Sequence, residues 1–248
     1  MKFTEKYTVR WHDTDAHRNM RPSKIVEYMQ ETANRQCEMS GLPLDKLRDK
    51  RGLGFILGAL SLRIQKPLHS YDEIEVSTWC TPARGYIFNR YFEIRCNGDV
   101  AAFASSTWVL LDINKKTIVR ISPDDDMNTH FYYDDPIDTA LLPKKPRVAK
   151  YTSLCKVGER RIVYSDIDYN MHMNNTHYPD MICDHLLEMT GNEHKTVSSM
   201  SLSYLKEAAL GDNLSVYRSD KDDKGIITVQ ARTGAGDVCF EALVTLSD

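Results

Sequence analysis

The sequence predicts an α+β protein made of two similar halves, each an antiparallel sheet packed against one helix. Three observations carry this expectation. Short segments of the chain recur in the same order. Each copy opens on a strand and a helix and continues as hairpin-linked strands. Hydrophobic residues at 42% and charged ones at 27% over 248 positions give the balance of a globular chain, long enough for two small domains.

The repeat is visible residue by residue. Val9-Arg10-Trp11-His12-Asp13-Thr14-Asp15 lies over Ile162-Val163-Tyr164-Ser165-Asp166-Ile167-Asp168, an apolar strand end running into Asp-x-Asp in both. The same frame carries Met20 onto Met173, Ser23 onto Thr176 and Glu27 onto Asp180. Two further blocks, Ser61–Pro67 over Ser201–Glu207 and Gly98–Val100 over Gly236–Val238, follow in shorter frames. The shortening places extra chain in the first copy near Ser40–Phe55, where an additional helical excursion is expected.

In the first copy, Pro22 suits an opening helical turn, and Ile25, Val26, Met29, Ala33 and Cys37 recur at helical spacing. Ile74, Val76 and Thr78 then alternate with Glu73, Glu75 and Ser77, as in a half-buried strand. Further strands are expected at Tyr86–Cys96 and Ala101–Leu111. In the second copy Asn174, Asn175 or Thr176 can cap a helix striped by Tyr178, Ile182, Leu186 and Met189. Its strands are expected at Leu214–Tyr217, Ile226–Arg232 and Val238–Leu246. Between the copies, Asn114–Lys150 reads as a connector too long for a turn, expected to cross a face of the molecule. Its Pro143-Lys144-Lys145-Pro146-Arg147 stretch reads as solvated linker.

Several function classes are disfavoured. No apolar run approaches the roughly 18–20 residues of a membrane span, and no secretory signal precedes the strand at Tyr7–Trp11. A formal net charge of -3 argues against a nucleic-acid binder driven by global charge. The six cysteines are scattered, with no C-x-x-C, so reduced and mostly buried thiols in a cytosolic protein are expected rather than a disulfide framework or a zinc site.

The most informative stretch runs from Ser165 to Tyr178. It gathers Asp166, Asp168, Asn170, His172, Asn174, Asn175 and His177 between a strand and a helix. That composition is poor for a core and good for placing polar groups at a helix N-terminus, where free N–H groups can stabilise an oxyanion. If the segment is extended, Asp168, Asn170 and His172 point one way. Caps and turns also use these residue types. The first copy separates the two readings. It keeps the Asp-x-Asp corner, so Asp13 and Asp166 are expected to be structural. It replaces Asn170 by His17, His172 by Asn19 and the Asn174-Asn175 pair by Arg21-Pro22. Glu207, where the first copy has Pro67, follows the same logic. Residues present in one copy fit a function performed once.

These residues resemble the acyl-acyl-carrier-protein thioesterases, plant and bacterial enzymes that release fatty acids from acyl carrier protein. The family shows Asp-x-Asn-x-His-x-Asn-Asn before a helix, matched by Asp168 to Asn175, and then a glutamate after a strand, matched by Glu207. The resemblance covers nearly the whole chain. It implies a tandem (double) hot-dog fold, two antiparallel sheets each wrapping a central helix. It also implies a catalytic set of Asp168, Asn170, His172 and Glu207. Plant members often carry cysteine after the glutamate; Ala208 stands here, so thiolate attack from that position is impossible. Plant members also begin with a plastid transit peptide, and its absence here predicts a bacterial, cytoplasmic form.

The implied domains are 1–146, an acyl-chain-binding and catalytically degenerate half with the connector, and 147–248, the catalytic half. Glu207, supported by His172, would activate water; direct attack by Asp168 or Glu207 to form an anhydride stays open. Backbone N–H groups at Asn174, Asn175 and Thr176 would polarise the carbonyl. Met20, Met29, Phe55 and Ile56 are candidate liners of the acyl slot, and equally ordinary core residues. The partner is an acidic acyl carrier protein, for which Lys144, Lys145, Arg147, Lys150, Lys156, Arg160 and Arg161 could supply a basic surface. A homodimer is compatible with the reading. No cofactor, nucleic acid or membrane is expected; nor is a metal, because His172, His177 and Asp168 match no common zinc spacing. An acyl-coenzyme A thioesterase and a hot-dog hydratase/dehydratase are the alternatives, and a non-enzymatic acyl-thioester sensor fits less well.

Overall fold

The computed structural model describes residues 2–83, 85–120, 137–146, 153–187 and 195–247. Met189, Arg147 and Lys150, together with most of the connector, lie outside them. The chain divides into two compact units: Met1–Met20 with Ile25–Leu142, and Pro143–Asp248 with Arg21–Lys24.

The first unit runs β1 (Phe3–Thr8), a 3-10 turn at Trp11–Asp13, α1 (Pro22–Met39), α2 (Leu44–Arg51), β2 (Leu53–Ile64), β3 (Glu73–Cys80), β4 (Ile87–Cys96), β5 (Asp99–Asp112) and β6 (Thr117–Val119). Its antiparallel sheet has the order β1-β3-β4-β5-β2, with β6 folded back on β5. The second unit runs β7 (Cys155–Arg161), a 3-10 turn at Tyr164–Asp166, α3 (His177–Leu187), β8 (Thr196–Tyr204), β9 (Asn213–Arg218), β10 (Ile226–Arg232) and β11 (Val238–Ser247). Its order, β8-β11-β10-β9-β7, is the same path with each strand replaced by its counterpart.

The duplication extends to individual bonds. Val9 N–H donates to Asp72 O at 2.9 Å and Ile162 N–H to Asp212 O at 2.8 Å. Met20 N–H donates to Leu68 O and Met173 N–H to Ala208 O, at 2.7 and 2.8 Å. The pairs Lys66–Asp99 and Lys206–Asp237 close at 2.6 and 2.5 Å. The extra chain in the first copy is α2, which Gly52 ends in the left-handed region at φ 62, its N–H bonded to Arg48 O.

The helix stripes form as the periodicity predicts: Ile25, Val26, Met29, Ala33 and Cys37 are buried on α1, and Tyr178, Ile182 and Leu186 on α3. At Gly158 in β7 a β-carbon would lie 2.5 Å from the His185 ring of α3, so any larger residue there would displace that side chain.

Two expectations change. The alternation in β3 stops after Val76, because Ser77 bonds Thr4 on β1 and Trp79 lies under the Lys2 ammonium, so the outer face is covered as well. The connector starts later than Asn114. The Asp112 carboxylate accepts Asn114 and Lys115 N–H groups, and the chain returns as β6. The first core is also not wholly apolar. Arg90, 7% exposed, donates to Gln36 Oε1, Thr78 Oγ1 and Cys37 Sγ beneath α1.

Candidate active site

The segment before α3 is a hairpin loop rather than an extended strand. Met171 N–H donates to Asp168 O and Asp168 N–H to His172 O, both at 3.0 Å, while Ile167 and Met173 pair across it. Met171 takes the left-handed position at φ 66, as Arg18 does at φ 67 in the first copy. This is a three-residue loop of a turn followed by a left-handed residue, and it turns successive side chains in different directions. The single-face expectation for Asp168, Asn170 and His172 is therefore corrected.

The four residues of the implied catalytic set come together as two pairs. His172 Nε2 lies 3.0 Å from Glu207 Oε2, with the side chains 35% and 59% exposed. Asp168 Oδ1 accepts the Asn170 N–H at 2.8 Å, and its other oxygen faces Asn170 Nδ2 at 3.5 Å. The first pair forms because His172 bridges Ala209 across the loop end, and Met173 N–H holds the intervening Ala208. Asp168 is an organiser of the loop backbone, which positions His172 two residues after Asn170.

At the helix N-terminus the three candidate N–H groups are not equivalent. Asn174 N–H donates to Asp166 O at 2.8 Å and Thr176 N–H to Asn174 Oδ1 at 3.0 Å. Among the described residues Asn175 N–H has no acceptor. The two imidazoles serve different carboxylates: His172 faces Glu207, whereas His177 Nδ1 lies 3.4 Å from Asp166. Among the described residues no three metal-binding side chains gather.

Asp166, buried, is the anchor beneath the loop. It accepts Val163 N–H at 2.9 Å and Arg160 Nη2 at 2.6 Å. Burial opposes its ionisation, but these bonds together with His177 outweigh burial and hold its carboxyl below the usual range. Its counterpart Asp13 accepts Arg10 N–H and the Tyr28 hydroxyl instead.

A family model for the acyl-ACP thioesterase N-terminal domain matches residues 1–128, and one for the C-terminal domain matches residues 153–244. The chain belongs to the acyl-ACP thioesterase family. It is 26% identical over 220 residues to a chloroplastic palmitoyl-acyl carrier protein thioesterase of Cuphea hookeriana, covering 83% of this chain and 51% of the relative. An Arabidopsis thaliana protein of the same name is 24% identical, covering 99% of this chain and 61% of the relative. The chain thus spans about half to three fifths of the length of these curated relatives. Its fold is the double hot-dog. An acyl-ACP thioesterase from Bacteroides thetaiotaomicron superposes with a TM-score of 0.87 at 19% identity, covering 99% of this chain and 98% of the other. The 12:0-ACP thioesterase from Umbellularia californica gives 0.84 at 16%, covering 99% and 97%.

In this family member the structure also separates the basic candidates. Arg160 pairs with the buried Asp166, and Lys156 with Glu159 at 2.5 Å. Lys144, Lys145 and Arg161 are exposed. Of the acyl-slot candidates, Met20 and Met29 are buried, and Phe55 packs edge-on against Phe88 at 5.1 Å, with Ile56 beside it on β2. Among the described residues no helix is long and apolar enough to cross a membrane.

Sequence reasoning gave Tyr204 no role and read Tyr178 only as a residue of the helix stripe. Tyr204, at the end of the strand leading to Glu207, donates its hydroxyl to Asn175 O at 3.2 Å, and Tyr178 packs edge-on against it at 5.2 Å. Burial pushes both phenols up, so both stay protonated. Ile25 and Ile64 stand at their counterparts in the first copy, so the test of presence in one copy could have found them. Tyr204→Phe frees the Asn175 carbonyl from the Glu207 strand. It is expected to lower kcat about fivefold with KM unchanged, one hydrogen bond being worth about 1 kcal/mol. Steady-state kinetics beside a melting curve checks this.

Proposed function

We propose that this protein hydrolyses the thioester of fatty acyl-acyl carrier protein and releases the free acid, with the second unit carrying the chemistry. The 3.0 Å contact of His172 with Glu207 carries this reading, in the half where the family motif lies; the first copy has Asn19 and Pro67 there.

With the proton on Nε2, His172 donates to Glu207 and fixes the carboxylate that takes a proton from water. The water oxygen adds to the thioester carbonyl carbon, and the oxyanion forms against Asn175 N–H, the donor not spent inside the turn. As the carbonyl re-forms, the C–S bond breaks and the phosphopantetheine sulfur takes the proton back from Glu207. A thiol leaves with little acid assistance, since its pKa is roughly 8.5. Asp168 and Asn170 hold the loop that aims His172.

The first unit, which lacks this set, receives the acyl chain through Met20, Met29, Phe55 and Ile56. Lys144, Lys145 and Arg161 meet the acidic carrier protein in the cytoplasm. Reversing these three charges to Glu is expected to raise KM for the carrier-bound ester about tenfold or more and to leave a short synthetic thioester unaffected. Equal effects on both would remove the docking role.

The decisive experiment incubates the protein with acyl carrier protein esters of graded length and identifies the acids released. Coenzyme A esters and an enoyl ester run in parallel. Acid release from the carrier esters is expected; hydration of the enoyl ester without acid release overturns the reading.

A further inference from the structure

A cavity of about 580 Å³ opens on the first unit between the end of β1, the turn that follows it, and Tyr71. Trp11, Tyr71 and Tyr28 supply rings, Lys6 and Arg10 supply positive charge and His12 an imidazole; no carboxylate lines it. The chain as a whole is net negative, so this lining runs against its background.

Folding alone gives no reason for these rings. Trp11 and Tyr71 are 54% and 68% exposed, their centroids 6.3 Å apart and their planes tilted by 34°, which makes a wedge rather than a closed stack. Tyr71 also sits at φ 72, a left-handed conformation that side chains adopt only at a cost. The twin turn shows what the backbone needs. There Gly211, at φ 90, donates its N–H to Ile162 O at 2.9 Å, just as Tyr71 N–H donates to Val9 O at 2.8 Å. The second copy likewise has Val163, Tyr164 and Ser165 in place of Arg10, Trp11 and His12. An exposed ring stands at the Trp11 position in both copies, as Tyr164 in the second, but the strained Tyr71, the Arg10 guanidinium and the His12 imidazole stand in the first alone, where the twin has Gly211, Val163 and Ser165.

We propose that this cavity binds a purine nucleotide, with the base stacked on Trp11 and Tyr71 and the phosphate held by Arg10 and His12. The cations exclude a cationic guest for the rings. An apolar guest would desolvate those charges without compensation. An inorganic anion leaves the rings unused, whereas a flat base carrying phosphate uses both. The Arg10 guanidinium makes no ion pair or hydrogen bond among the described residues, while Lys6 shares its charge with Glu75 at 3.1 Å and plays the lesser part. Tyr28 donates to Asp13 at 2.7 Å, which fixes its ring as a wall of the cavity.

Calorimetric titration of the full chain with adenosine 5′-monophosphate, adenosine, inorganic phosphate and coenzyme A tests this. Saturable binding of the monophosphate or of coenzyme A is expected, with adenosine and phosphate each about tenfold weaker or more. The tighter of the first two tells whether the natural source is a free nucleotide or the nucleotide end of the coenzyme. Tyr71→Gly and Trp11→Ala should each weaken binding about tenfold, the worth of one stacking contact, and leave acid release from carrier esters unchanged. Arg10→Ala should reduce the monophosphate to the level of adenosine. Because Tyr71→Gly restores the twin's residue, its melting temperature should not fall. Absence of saturable binding, or binding indifferent to all three variants, overturns the proposal. A Tyr71→Gly protein that melts several degrees lower also overturns it, since the ring would then be structural.

Discussion

Glu207→Gln is expected to lower kcat for hydrolysis of carrier-bound esters about a hundredfold or more, with KM little changed. The substitution keeps the shape of the side chain and removes only its capacity to take a proton, and positioned general bases contribute about 10²–10⁴ in rate. Stability should be spared. Glu207 is 59% exposed and its contact with His172 is open to water, where such pairs contribute at most about 1 kcal/mol. His172→Ala should cost a similar factor, because the carboxylate is then left unaimed. The double variant should be little worse than the more damaged single one, since groups acting as a unit do not multiply their effects. Asn19→Ala, at the counterpart of His172 in the first unit, provides the control and should leave kcat intact. Initial rates of acid release, measured beside melting curves, decide the matter. A Glu207→Gln enzyme within tenfold of the parent would falsify the assignment of the base.

The same contact shows how much of the site the sequence disclosed and where it stopped. Comparing the copies singled out His172 and Glu207, because a histidine against an asparagine and a glutamate against a proline are differences of chemistry. It also foresaw α2, since unequal frames must put surplus chain somewhere. The loop between Asp168 and His172 was harder to read. Left-handed residues are normally announced by Gly or Asn, and here Arg18 and Met171 occupy them, so the segment reads as extended. Tertiary pairing hid the rest. Nothing local says that Arg160 reaches forward to Asp166, or that Arg90 turns inward toward Gln36 and Cys37. The short hairpin of β6 was missed because Asp112 organises its turn through its own side chain in a stretch that composition marks as linker.

Asp166→Ala should destabilise the second unit by about 3 kcal/mol. The carboxylate is 2% exposed, and its removal leaves the Val163 N–H without its acceptor and the Arg160 guanidinium without its nearest partner. Asp166→Asn keeps an oxygen for Val163 and loses the charge facing Arg160, so it should cost about half as much. The pH dependence follows from the direction of the shift. The folded pKa of Asp166 lies below its unfolded value, roughly 3.9, so its stabilising contribution is complete above that value and is lost as pH falls through the folded pKa. The gap in unfolding free energy between parent and Asp166→Asn should therefore be constant near neutrality and shrink below about pH 4. Asp13, which meets a tyrosine hydroxyl rather than a guanidinium, supplies the comparison: Asp13→Asn has no cation to strand and should cost less. Denaturant titrations of the three proteins across this range measure the gap directly, and a gap that widens in acid would show that Arg160 does not stabilise the charged form.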